Sequence, residues 1–429
     1  MKRAILAAAL AALSVTVWTQ VPAGSTPDIG VMPDPVFPST AGCPVVTGRN
    51  AESTLAIASV VADNVDVIAA SSGSVTAATD VEIGAAGGAT LGVLDFAGAS
   101  SVAVVADLPD EGAAMGVVTR SPAVITAGQC SPPATSEVVV AGVSTASGES
   151  LDLVLANPYA NDAVVAVRTS SEAGPDSASE LESVIVPARS VVSVELSTLL
   201  PLRQRLAVRV IAQRGTVHVA GVQTTTFERM YIEGVSPARE WYLPIPNTGS
   251  PPLIVIAATG PTGANYRIDT FGPGGEVTGV VSGEIAMEEQ AVVDASTLGD
   301  DVRAVRVSTD GEVVASVVIE SETIRAGTPG VSEIAAAWLV PGAFGDGAVL
   351  RIANPSAFTA DVDIQPLLEG GSVQTISVEP GATAEVPVSG PGAGYAVRAQ
   401  TEIFVAWSIS SDAGFALSVG TPAESGGSD

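Results

Sequence analysis

The residues able to do chemistry in this chain are few, and their spacing closes more routes than it opens. The only histidine is His218, in "TVHVA". A serine–histidine hydrolase and a paired-histidine zinc site would both have to run through it alone. Val217 and Val219 flank it, so it falls on the opposite face of a strand from them, and an exposed imidazole is expected. "GVSTA" (Gly142 to Ala146) lacks the closing glycine of a nucleophile elbow. "GPGGEVTG" (Gly272 to Gly279) and "SGPGAG" (Ser389 to Gly394) lack the helix and lysine of a phosphate cradle and read as turns. Asp107, Asp110 and Glu111, and the pair Asp300 and Asp301, match no calcium loop and read as solvated. With 46 acids, carboxylate pairs for sugar hydrolysis are always on offer, and nothing selects one. No catalytic, metal or cofactor residue is therefore assigned, and the chain is read as non-enzymatic.

Three sets remain as binding or structural candidates. Cys43 and Cys130 are the only cysteines. Each stands beside proline-containing sequence, and an even count in an exported chain predicts one disulfide. Trp241 and Trp338 both open a Trp-x-x-Pro stretch, "WYLP" and "WLVP". They read as core anchors, with a stacking platform for a glycan as the sharper alternative. Arg209, Arg306 and Arg398 follow the same Ala-Val pair. They form either ordinary ion pairs or a spaced row of cations for an acidic polymer.

The elements that position these residues are written in the composition. The 429 residues are 47% hydrophobic, 4% aromatic and 15% charged. The charged share is well below the usual ~25%, and Val, Thr, Gly and Pro point to short strands with many turns. The formal charge of −28 disfavours nucleic acid and anionic lipid as partners. Lys2 and Arg3 precede an apolar run from Ala4 to Trp18, and Val21-Pro22-Ala23 offers a cleavage site. Residues 1–23 are thus expected to be a signal peptide directing the chain to the cell surface or medium, with an uncleaved membrane anchor as the alternative. No span is expected after cleavage.

The chain also repeats itself. "LVLANPYANDAVVAV" (Leu153 to Val167) matches "LRIANPSAFTADVDI" (Leu350 to Ile364), with weaker copies at "IVIAATGPTGANYRI" and "LAIASVVADNVDVIA". The anchors Ala58, Ala156, Ala257 and Ala353 are 98, 101 and 96 residues apart. A second landmark, Ala-Val-Arg, begins at Ala207, Ala304 and Ala396. Within each landmark apolar residues alternate: Leu350 and Ile352 against Arg351, Val362 and Ile364 against Asp361 and Asp363. This is the period of strands with one wet face. Pro158 and Pro355 cannot continue a ladder and mark turns that Asn157 and Asn354 can hold by bonding the backbone. Asp310-Gly311 and Arg214-Gly215 read as hairpin turns.

About seven such strands per repeat predict an all-β chain of tandem immunoglobulin-like or fibronectin-III-like sandwiches. A β-propeller is the alternative, although a blade needs about 40 to 50 residues and no half-period is visible. The expected order is a Pro-rich linker at 24–42, modules at 43–130, 131–229, 240–325 and 333–421, and a disordered tail at 422–429. The acidic composition, leader and repeated "LANP" and "AVRV" words together resemble a secreted actinobacterial family of unknown function, the domain numbered 5719. That resemblance implies an exported, envelope-associated β protein and supplies no site residues. The function expected is a structural or interaction protein of the envelope, with an envelope protein or glycan as partner. Carbohydrate or cell-wall polymer binding is the alternative, and an unrecognised hydrolase the second. Oligomeric state is left open by the sequence.

Overall fold

The computed structural model describes residues 40–423, apart from 47–50, 85, 99–100, 109–111, 123, 133, 135, 173, 177, 226–228, 260–261, 322–323, 343, 369–370 and 391. The leader, most of the linker and residues 424–429 of the tail lie outside the described residues. So do Asp110 and Glu111 of the first acidic cluster.

Nearly all of the described chain is antiparallel β-sheet, arranged as four modules that begin at the strands Thr40–Val46, Glu137–Val143, Ala238–Pro244 and Ala335–Pro341. Eight strand positions recur, filled by eight, nine, seven and eight strands: module two's fourth is in two pieces, one long strand spans the sixth and seventh in modules three and four, and Thr421–Ala423 is added in module four. In module one the first, third, fourth and sixth strands (Thr40–Val46, Asp63–Ser71, Ser74–Ile83, Ser101–Asp107) make one sheet. The second, fifth, seventh and eighth (Glu52–Ser59, Gly87–Gly92, Ala113–Arg120, Ile125–Gln129) make the other. The alanine-rich first module thus shares the plan of the other three. Consecutive strands keep crossing between sheets, so neither sheet is a contiguous stretch of sequence. That is why the repeat has no half-period.

The expected hairpins are corrected by the same crossing. Ala304–Glu320 is a single 17-residue strand. Its first part pairs with Ala238–Pro244 and Ala264–Gly272, and its second part with Leu253–Ala258 and Arg325–Pro329. Asp310-Gly311 is the bend where it changes sheets. Gly394–Ser411 does the same in module four. Leu206–Arg214 and His218–Thr224 are separate strands in module two, in different sheets, with Gly215 at φ 71° between them. The eighth strands, among them Arg229–Glu233 and Arg325–Pro329, lie at or beyond the ends expected for modules two and three.

The modules do not form an open row. Their eighth strands touch in a closed cycle: Ile125–Gln129, Arg229–Glu233, Arg325–Pro329, Gly414–Val419, and back to the first. The outer face of each module's first sheet packs on the second sheet of the next. Val139 and Ala141 of module two enter the core of module three, and Tyr242 and Phe271 of module three enter that of module four. Ala337, Leu339 and Ala396 of module four close on Ala58 and Ala114 of module one. At that closing seam Gly88 meets Ala393, and any Cβ at Gly88 would lie 2.6 Å from the alanine side chain.

Closure corrects the expectation of wet outer faces. Arg351 is 7% exposed and bonds Glu385 and Ser408 at 2.8 and 2.7 Å. His218 is 1% exposed. Both sit on faces that an isolated sandwich would leave in water and that the neighbouring module covers.

Candidate functional site

Most of the sequence-selected residues turn out to hold the frame. Trp241 and Trp338 are each 1% exposed. Their indole N–H groups donate to the carbonyls of Val313 and Ile403, both at 2.9 Å. Each therefore pins a first strand to the corner where the long strand changes sheets, and neither offers a ring face to a glycan. Asn157 and Asn354 are fully buried. The Asn354 amide donates to the carbonyls of Phe358 and Val378 at 2.7 and 2.9 Å, and Asn157 to those of Asn161 and Val186. These satisfy backbone groups that the turn leaves unpaired. Cys43 and Cys130 are joined in a disulfide across 87 residues, with their Cα atoms 4.7 Å apart.

The three arginines do not form a row of equivalent cations. Arg209 is held by both oxygens of Glu137, each at 2.6 Å. Arg306 bonds Asp269 at 2.6 Å and Glu276 at 2.8 Å, with its guanidinium 5.8 Å from the Phe271 ring centroid. Burial pushes the Asp269 carboxyl up, but bonds from Arg267 and Arg306 outweigh it and hold the group below its ordinary value. Arg398 is exposed and sits opposite Asp363.

His218 lies at the seam of modules one and two, where a Cβ on Gly42 would come within 2.3 Å of the imidazole. Its Nδ1 is 3.1 Å from the Ser131 carbonyl oxygen, and its Nε2 3.3 Å from the Tyr159 hydroxyl. Burial lowers its pKa to about 4. It is a neutral packing residue, and the expected exposed histidine is not found. At the same seam is a carboxyl that the sequence did not flag. Glu233 is 4% exposed, and burial raises its pKa to about 7 against backbone N–H bonds from itself and Gln129.

A cavity opens at the seam of modules two and three. A cleft of about 460 Å³ lies there, between the outer face of module two and Ala257, Ala258, Thr259 and Glu288 of module three. Arg168 and Arg209 reach into it from adjacent strands, with Glu182 and Gln213 beside them. Its rim carries Asp176, to which Arg203 Nε and Nη2 donate at 2.7 and 2.8 Å, holding its carboxyl below the ordinary value. Of the charged and polar residues here only Arg209 was singled out from sequence. Arg168 was within reach: it occupies the position that Asp269 fills in the next repeat. The cleft can receive a ligand of small-molecule size that offers both an anion and hydroxyl donors. Among the described residues no group of three potential metal ligands occurs, and no helix is long and apolar enough to cross a membrane.

Comparison with known proteins adds a family and no activity. No curated protein matches the chain. Among solved structures, a tetra-tandem repeat from the extending region of a large adhesion protein is similar at 13% identity and a TM-score of 0.11, over 86% of this chain and 95% of that one. A likeness at that level carries no argument. The model of the family of unknown function DUF5719 matches residues 98–389, and the chain, whose repeated strand words pointed the same way, belongs to that family.

Proposed function

We propose that the protein is an exported, non-enzymatic interaction protein of the cell envelope. In this reading the closed ring is a rigid frame, and the seam of modules two and three docks an envelope component. The observation that carries it is the contrast between seams. At the others Gly42, Gly88 and Gly381 approach the neighbouring module too closely for a Cβ, while this seam holds a cleft of about 460 Å³. Rigid frames with one unfilled groove suit recognition, because little ordering entropy is lost on binding. The disulfide supports an oxidising destination. The surface carries −28 overall, which favours solvation outside the cell over contact with nucleic acid. The sole imidazole is buried and neutral, so it is committed to packing.

The test is retention of the purified mature chain on washed envelope fragments, paired with surface proteolysis of intact producing cells. The expected results are saturable retention and cleavage by externally added protease. Absence of retention, or protection of the chain inside intact cells, overturns the proposal.

A further inference from the structure

We propose that the cleft between modules two and three binds an acidic saccharide, a sugar carrying a carboxylate, with Arg168 holding the carboxylate. The inference rests on the docking role just given and names the ligand class of that seam.

The strand register is the first support. Arg168 stands directly opposite Arg209 on the neighbouring strand. Like charges in that position work against the ladder. The corresponding arginine of module three faces Asp269, and that of module four faces Asp363. Module two replaces the acid with a second cation. Glu137 occupies the Arg209 fork, while Arg168 is exposed and in no ion pair among the described residues.

A broken strand is the second support. In modules one and three the fourth strands, Ser74–Ile83 and Gly275–Ile285, cover the outer edge of the third. In module two only the fragments Gly174–Asp176 and Val184–Val186 do so, pairing with residues 169–171 and 163–165. Between them the chain detours through a short 3₁₀ turn, Ser179–Leu181. The edge of Ala166, Val167 and Arg168 is left open, and the cleft lies against those residues. At the seam of modules three and four, Arg306 with Asp269 and Glu276 fills the comparable space, and a Cβ on Gly381 would fall 2.5 Å from the Glu276 nitrogen.

The mixed lining decides the ligand class. Arg168 supplies a planar fork suited to a carboxylate, while the Arg209 fork is held by Glu137. Glu182, Glu288, Gln213 and Thr259 supply acceptors suited to hydroxyl groups. A bare mineral anion would leave those acceptors without donors. A neutral sugar would leave Arg168 uncompensated. A hydroxyl-rich ring bearing one carboxylate satisfies both.

The test is calorimetric titration of the mature chain with digalacturonate and with its dimethyl ester, which keeps the hydroxyls and removes the charge. The expected result is binding of the acid and a loss of about tenfold or more for the ester. Arg168→Asp restores the acid–arginine pair found in module three. It is expected to lose digalacturonate binding about tenfold or more while keeping its melting temperature. Arg398→Ala, on another module, should bind as the parent does. Equal binding of acid and ester, or full binding by Arg168→Asp, overturns the proposal. Tighter binding of a tetraglutamate peptide overturns the saccharide class. If digalacturonate fails while envelope retention persists, only this inference falls. If retention also fails, the docking role falls with it.

Discussion

Replacing Glu233 by glutamine should change the pH dependence of stability in a direction fixed by where the carboxyl sits. The side chain is 4% exposed at the meeting of two eighth strands, beside Tyr231 and the Gln129 backbone. Its pKa rises from an ordinary 4.5 to about 7 on folding, mainly through burial. Below pH 4.5 the carboxyl is protonated in both states and costs nothing. As pH rises through 7 the folded state must ionise a buried acid, and about 3 kcal/mol of stability is lost. His218, at the same seam, has the opposite slope. Its pKa falls to about 4 on folding, so its contribution is whole above pH 6.5 and lost as pH falls toward 4. The two windows overlap, and in the parent the slopes nearly cancel. In Glu233→Gln the shape is kept and the acid is gone. Urea unfolding at pH 8 should show the variant more stable by about 2 to 3 kcal/mol, and at pH 4.5 the two proteins should differ little. Between pH 6.5 and 4.5 the variant should lose stability that the parent keeps. A difference between variant and parent that stays constant from pH 4.5 to 8 would refute the assignment of a buried, titrating Glu233.

Two further outcomes follow from the frame. The disulfide closes a loop of 87 residues, for which chain entropy alone gives about 4 to 5 kcal/mol. Cys43→Ser with Cys130→Ser should therefore melt well below the parent under non-reducing conditions, and equal melting would show that the bond adds nothing. Asn354→Ala removes the donors to Phe358 and Val378 and takes from the Val378 carbonyl its buried side-chain donor. It should cost about 1 to 3 kcal/mol in denaturant unfolding, and exposed Phe358→Ala should cost little by the same measurement.

The sequence carried the units better than their assembly. Alternation around Leu350 and Val362 and the recurring anchors at Ala156 and Ala353 identify strands and their repeat, because both depend on neighbouring residues. Assignment of a strand to one sheet or the other depends on corners. At Asp310-Gly311 the residues that suit a hairpin turn also suit a bend between sheets, and local chemistry does not separate the two. The tryptophans are the core anchors expected, but the sequence could not close the alternative of a glycan platform. Their carbonyl partners are 72 and 65 residues away, so a buried anchor and an exposed platform look alike in a single sequence. His218 and Arg351 are placed on the correct faces, but those faces are covered by neighbouring modules, and period-two alternation says nothing about what covers a sheet.

Closure also explains why a binding cleft would arise where it does. In an open row the end modules leave sheets uncovered and need capping. In the ring each module is capped by the next, so a loss of packing at one seam is tolerated while the other seams hold. The seam of modules one and two has the disulfide close by and His218 packed over Gly42. That of three and four is filled by Arg306 and its acids, and that of four and one by alanines. Module two departs from the repeat twice, in the broken fourth strand and in Arg168 standing where an acid stands in module three, and both departures fall on the same seam. One alone would read as drift in a tolerant position. Together they open a space and line it with a cation pair that the rest of the ring does not use.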